Sequence, residues 1–208
     1  HWYVYLPVMF IAFFLMVPPI IIAEKKAKMK QIFMMAVGLA AGGQMLLMFA
    51  QNSLWGVAFA LLIFFTAFNV LEATLPSMIS KIAPLASKGT AMGVYSSVQF
   101  LGAFLGATVG GALMQYVGGN SVFIFAIVLL LLWLVVASGM TPPAAVSTKM
   151  YHLDEMDSEQ GALLQKELAQ LQGVREVMVI AAENIACLKV DMKGFDKDAV
   201  EQLVTKGA

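Results

Sequence analysis

The chain has 208 residues, 60% of them hydrophobic, with 13 basic and 13 acidic side chains and therefore no formal net charge. That apolar share lies far above the usual content of a soluble domain and excludes an ordinary water-soluble globule. A single cysteine, Cys187, excludes an internal disulfide framework and a Cys-rich metal centre, and no basic stripe offers a surface to nucleic acid.

The charge is unevenly spread. Residues 1–140 hold only two acids, Glu24 and Glu72, and the other eleven fall in the last sixty residues. Two bodies with different solvents are therefore expected: a membrane bundle over 1–140, a linker over 141–148 and a cytoplasmic domain over 149–208. The chain opens on His1 with no basic segment before its first apolar run. That pattern predicts no signal peptide and suggests a piece of a longer protein.

A hydrocarbon core about 30 Å thick takes roughly twenty apolar residues of helix to cross. Five stretches qualify: Tyr3 to Ala23, Gln31 to Ala50, Leu54 to Ser80, Thr90 to Tyr116 and Ser121 to Ser138. In the first, Pro7, Pro18 and Pro19 remove helix hydrogen bonds and invite kinks. The connection after it, "EKKAKMK", carries Lys25, Lys26, Lys28 and Lys30, and the third connection is flanked by Lys81 and Lys88. The second and fourth hold no lysine or arginine. Basic residues in short loops mark the cytoplasmic side, so the chain is expected to start outside, cross five times and place its C-terminus inside.

The third span holds the sharpest signal. Glu72 is an acid where a bilayer offers little water, and such groups usually face a bundle interior or an aqueous cavity. Phe65, Asn69, Glu72 and Pro76 follow helical spacing, so Asn69 and Glu72 share a face. Burial raises a carboxyl pKa and would let Glu72 load and release a proton near neutrality. The competing reading is a structural carboxylate bonded to a neighbouring helix. On the fourth span Tyr95 and Gln99, four residues apart, are candidates for the wall of a pathway. Gly102, Gly106 and Gly110, with Gly111 following, form a small-residue stripe that suits close helix packing. A phosphate-binding loop does not suit it, since no strand precedes the stripe.

Beyond the paired prolines of "TPPAAVSTK" the composition becomes acidic and ordinary. "KMYHL" reads as a first strand. Asp157 with Gln160 forms a capping box, Leu164, Leu168 and Leu171 recur at helical spacing, and Gly173 stands where a helix ends. "VREVMVIA" and "IACLKVD" alternate as two strands joined at Glu183 and Asn184. Asp196 opens a short helix carrying Ala199, Val200, Leu203 and Val204, and only Thr205 to Ala208 remain. This β-α-β-β-α order is a small α+β ferredoxin-like fold lacking its closing strand. Cys187 falls on the same side of its strand as Lys189 and Asp191, opposite Ala186, Leu188 and Val190, which makes it a partly exposed thiol. Neither it nor His152 has the companions a metal needs. No nucleophile with a base is present, so no enzyme, metal or cofactor is expected.

Taken together, "AEKKAKMKQ", "AFNVLEATLPSMISK" and "KGTAMGVYSSVQFLGAFLG", in that order and separated by whole spans, resemble the C-terminal half of a major facilitator superfamily transporter. The likeness is to drug/proton antiporters that carry a cytoplasmic ferredoxin-like YAM domain after the last helix, and the tail "GVREVMVIAAENIACLKVD" is similar to that domain. The resemblance implies that the five spans are helices eight to twelve of two six-helix bundles, with substrate bound between the bundles at mid-depth. It also implies that "AEKKAKMK" is the second-half counterpart of the family's signature loop. Glu24 then stands at its acidic position, Lys25 and Lys28 at its basic ones, and Ala27 replaces its glycine. The stripe from Gly102 to Gly111 would correspond to the antiporter motif of the first half, without that motif's proline.

Two functions follow as expectations. One is a multi-pass transporter of a bacterial inner membrane that expels small amphipathic compounds by alternating access. Its partners are the lipid bilayer, substrate and protons, with Glu72 as proton site and Asn69, Tyr95 and Gln99 as cavity wall. Its 15 methionines suit a permissive apolar pocket. The other is a membrane anchor for a sensing or interaction domain, able to self-associate through an unpaired edge of its first strand.

Overall fold

The computed structural model describes residues 2–154, 156–191 and 194–206. His1, Gly207 and Ala208, on which expectations about the chain ends rest, lie outside the described residues. The chain forms two compact units, His1–Met78 with Gly93–Pro143 and Ile79–Met92 with Ala144–Ala208.

The first unit is built from α1 (Trp2–Lys25), α2 (Met29–Ala50), α3 (Leu54–Ile82), α4 (Lys88–Tyr116) and α5 (Gly119–Ser138). All five are long and apolar enough to cross a membrane. α1 stays one helix through Pro7, Pro18 and Pro19. It ends in a Schellman turn, in which the Lys28 N–H donates to the Ala23 carbonyl at 3.1 Å and Ala27 takes a left-handed φ of 53°. A glycine would adopt that φ without strain.

α2 packs on its neighbours through small residues. Ala36, Val37 and Ala40 are buried, and Phe33 meets Trp133 of α5 edge to face at 5.4 Å. A methyl added at Gly43 would lie 3.0 Å from Phe64 Cβ and 3.1 Å from its Cα, so glycine lets α2 and α3 approach backbone to backbone. The helix ends are tied by polar groups. Lys30 Nζ donates to the Ser138 carbonyl at 2.7 Å, a cation on the C-terminal end of α5, and Gln51 Nε2 donates to Asn120 Oδ1 at 2.9 Å. α4 differs from α2 in having no buried residue.

In the second unit β1 (Val146–His152), β2 (Val174–Ile180) and β3 (Ile185–Asp191) form an antiparallel sheet of order β1-β3-β2, with α6 (Ser158–Ala169) and α7 (Lys197–Lys206). This is the expected ferredoxin-like β-α-β-β-α arrangement. β1 starts at Val146, three residues before the "KMYHL" stretch, and Val146 pairs with Asp191 at the end of β3. Leu164, Leu168 and Val200 pack with Val177, Ala186, Leu188 and Val190 to form the core.

Local signals in this unit are realised as read. The Asp157 N–H donates to Gln160 Oε1 at 3.0 Å, and Asp196 Oδ1 accepts from the N–H groups of Asp198 and Ala199 at 3.1 Å each. Gly173 has φ 83°, and a side chain there would meet Gly194 O at 2.7 Å.

One face departs from the alternation reading. Lys189, expected to point outward beside Cys187, is only 8% exposed. Residues 79–92, which belong to this same unit, lie over that part of the sheet. The Lys189 ammonium donates to Ala83 O at 3.0 Å.

Candidate functional site

α3 to α5 place one polar pair in an apolar setting. Along α3, Phe64, Phe68, Leu71, Glu72 and Leu75 recur at helical spacing and form one wall of a cavity of about 560 Å³. α2 contributes Ala40 and Gln44, and α4 contributes Gln99, Gly102 and Ala103. α5 completes the lining with Ala126, Leu129, Leu130 and Trp133. The volume falls within the range of small-molecule sites, as does the pattern of apolar walls with a few polar groups.

The polar pair is short and two-pronged. Gln99 Nε2 on α4 donates to both carboxylate oxygens of Glu72 on α3, at 3.0 and 3.2 Å. The amide nitrogen thereby serves both carboxylate oxygens at once and ties α4 to α3. No charged donor is among the lining residues, so among the described residues the hydrogen-bond partner of the carboxylate there is neutral. Pro76 adds a second local feature: lacking an N–H, it leaves the Glu72 carbonyl without its ordinary donor one turn on. Next to it the Thr74 hydroxyl turns back on its own helix and donates to Val70 O at 2.7 Å.

The other candidates are distributed more widely. Asn69, three residues before Glu72, is half-buried and does not line the cavity. Tyr95 is half-buried one turn before Gln99 and is also outside the lining. Gly102 faces the cavity, and a methyl there would meet nothing within 4 Å. Gly106 and Gly111 are equally open, and Gly110 would touch only Val122 of α5 at 4.0 Å, so among the described residues the stripe meets another helix only at its Gly110 end. At the α1–α2 connection Ser77 Oγ donates to Glu24 Oε1 at 2.7 Å, while Lys25 and Lys28 are exposed. Among the described residues no three His, Cys, Asp or Glu side chains gather as a metal site.

Of the lining residues, sequence reasoning singled out Glu72, Gln99 and Gly102, and it missed Gln44 and Trp133 among others. Gln44 carried a usable signal, being an amide in the otherwise apolar run "MMAVGLAAGGQMLLMF". Trp133 carried none, since an aromatic residue in a span is ordinary filler.

Comparison with known proteins places this geometry in a lineage. The profile of the Major Facilitator Superfamily matches residues 3–170. The inner membrane transport protein YajR of Escherichia coli is 41% identical over 204 residues, which cover 98% of this chain and 45% of that protein. Two uncharacterized transporters of Buchnera aphidicola are also similar. The one from subsp. Baizongia pistaciae is 37% identical over 89 residues, covering 43% of this chain and 22% of its own. The one from subsp. Acyrthosiphon pisum is 33% identical over 106 residues, covering 51% and 27%. The chain thus spans less than half the length of the curated relatives it matches. With a matched region that runs through all five membrane-length helices, the chain belongs to the major facilitator superfamily.

Proposed function

We propose that the protein is a secondary active transporter of a bacterial inner membrane, exchanging protons for a small amphipathic compound by alternating access. The observation that carries this reading is the Glu72–Gln99 pair in a mostly apolar cavity. A carboxylate whose partner is a neutral amide can be protonated without stranding a buried cation. The amide can then turn its oxygen to accept the new proton, so one residue serves both states. The apolar walls take the body of the substrate, and Phe64, Phe68 and Trp133 offer ring faces to it. The lysines at the α1–α2 connection and beside the α3–α4 connection favour placing those turns and the C-terminal unit in the cytoplasm.

The test uses the complete protein in proteoliposomes, with a panel of fluorescent amphipathic compounds and an imposed proton gradient. Glu72→Gln is expected to abolish gradient-driven accumulation while leaving exchange of substrate for substrate. A Glu72→Gln protein that keeps gradient-driven transport with an unchanged pH profile would remove Glu72 from proton coupling.

A further inference from the structure

Residues 79–92 are part of the same compact unit as the C-terminal sheet, although they include the last turn of α3 and the first of α4. Two charged side chains of the sheet hold them. Lys189 of β3 donates to the carbonyl of Ala83, one residue beyond α3, at 3.0 Å. Glu176 of β2, its register partner, accepts the Leu85 N–H through Oε1 at 2.8 Å, and Glu176 Oε2 lies 3.9 Å from Lys189 Nζ. Ala83 is itself buried.

The signs match the helix ends. Carbonyls closing α3 carry partial negative charge, and N–H groups opening the turn Leu85–Ser87 that leads into α4 carry partial positive charge. The cation meets the first and the anion meets the second. Pro84 lies between them, and because the residue before a proline avoids helical geometry, α3 stops there and presents its free carbonyl. A buried ammonium is costly unless its partners are fixed. Here the fixed partners of Lys189 are a carboxylate of its own sheet and a helix end.

We propose that the C-terminal sheet is a brake on the α3–α4 pair, holding both helix ends through Lys189 and Glu176 so that they move relative to each other only after release. Its consequence for turnover rests on the transport reading above; its effect on the helix ends does not. Alternating access rocks or gates one bundle against the other, and a grip on the ends of α3 and α4 resists any adjustment of those two helices during that movement. A grip made of one ion pair and two hydrogen bonds breaks within a transport cycle when water replaces the helix end at Lys189, since the ammonium is then no longer buried.

The test is hydrogen–deuterium exchange of the complete protein in lipid nanodiscs, compared with Lys189→Met, Glu176→Ala and Glu176→Gln. Lys189→Met and Glu176→Ala are expected to speed exchange of the Leu85–Ser87 amides and the first turn of α4 at least tenfold, with β2 and β3 unchanged. Glu176→Gln, which keeps an acceptor for Leu85, should stay within threefold of the parent at those amides. Turnover in proteoliposomes should rise at least threefold in Lys189→Met. Unchanged exchange at 85–92, or exchange that rises equally across β2 and β3, overturns the grip, the second result reducing Lys189 to a fold-holding residue. Released helix ends with equal or slower turnover overturn the brake. Failure of the complete protein to transport anything would instead defeat the reading of the previous section and leave the exchange test standing.

Discussion

Glu72 and Lys189 are the two ionisable side chains that most define their units, and they are partnered in opposite ways. Lys189 is 8% exposed and fixed by a carboxylate and a helix-end carbonyl. Glu72 is exposed along a cavity wall and held by one neutral amide. Lys189 thus has an opposite charge and a dipole for partners, and removing its ammonium would strand both. Glu72 has no cation among the residues lining its cavity, so replacing it strands no charge there. On the proposed function, partner chemistry rather than burial alone separates the structural charge, Lys189, from the working one, Glu72.

Reversing the structural charge should have the largest effect. Lys189→Glu sets two carboxylates together and points one at a carbonyl, and it is expected to cost about 3 kcal/mol or more, read as loss of exchange protection over residues 79–92. A packing change near the other charge sets the scale: Gly43→Val drives a methyl into Phe64 and should cost roughly 1–3 kcal/mol in thermal unfolding. Gly106→Val, with open space at its Cβ, should be close to neutral in this chain.

Glu72→Gln should change stability by less than about 1 kcal/mol, because Gln99 can still bond an amide. A larger loss in detergent melts would return Glu72 to the structural class and break the comparison.

Tyr151 supplies a third case, a polar group with no partner. Its hydroxyl is buried without a hydrogen-bond partner among the described residues. Burial first, and then Glu201, push its pKa above the usual 10.0, with Lys197 opposing. The neutral phenol is thus favoured by the fold. Its contribution is fully present below pH 10 and is lost as the pH rises through the elevated folded value. Tyr151→Phe should leave stability unchanged or slightly higher at neutral pH. It should also flatten the fall that the parent shows above pH 10. Parallel pH profiles for the two proteins would disprove the assignment.

Much of this architecture was legible in local chemistry. The five spans announce themselves by hydropathy, and their ends move by a few residues because helical hydrogen bonding continues past the end of the apolar run, as at Lys25 and Lys81. Gly173, Asp157 with Gln160, and Asp196 each act on neighbours a few residues away, so spacing alone reveals them. Glu72 and Gln99 were each visible as polar residues in apolar runs. Their meeting was not, since 27 residues and a helix reversal separate them. Lys189 shows the limit most clearly: strand alternation assigns a face, but cannot reveal that a segment about a hundred positions earlier lies across it. The glycine stripe of α4 shows a related limit, because a sequence can display the capacity for close packing without naming the surface that uses it.

The turn after α1 has a practical consequence. Ala27 holds a left-handed backbone with φ 53°, a conformation that a β-carbon disfavours by roughly 1–2 kcal/mol. Deleting that one methyl by Ala27→Gly would relieve the stress at a residue that is neither a cavity-lining residue nor a partner of Lys189 or Glu176. The altered protein should gain a few degrees of melting temperature, a convenient starting point for anyone wishing to purify or crystallise it.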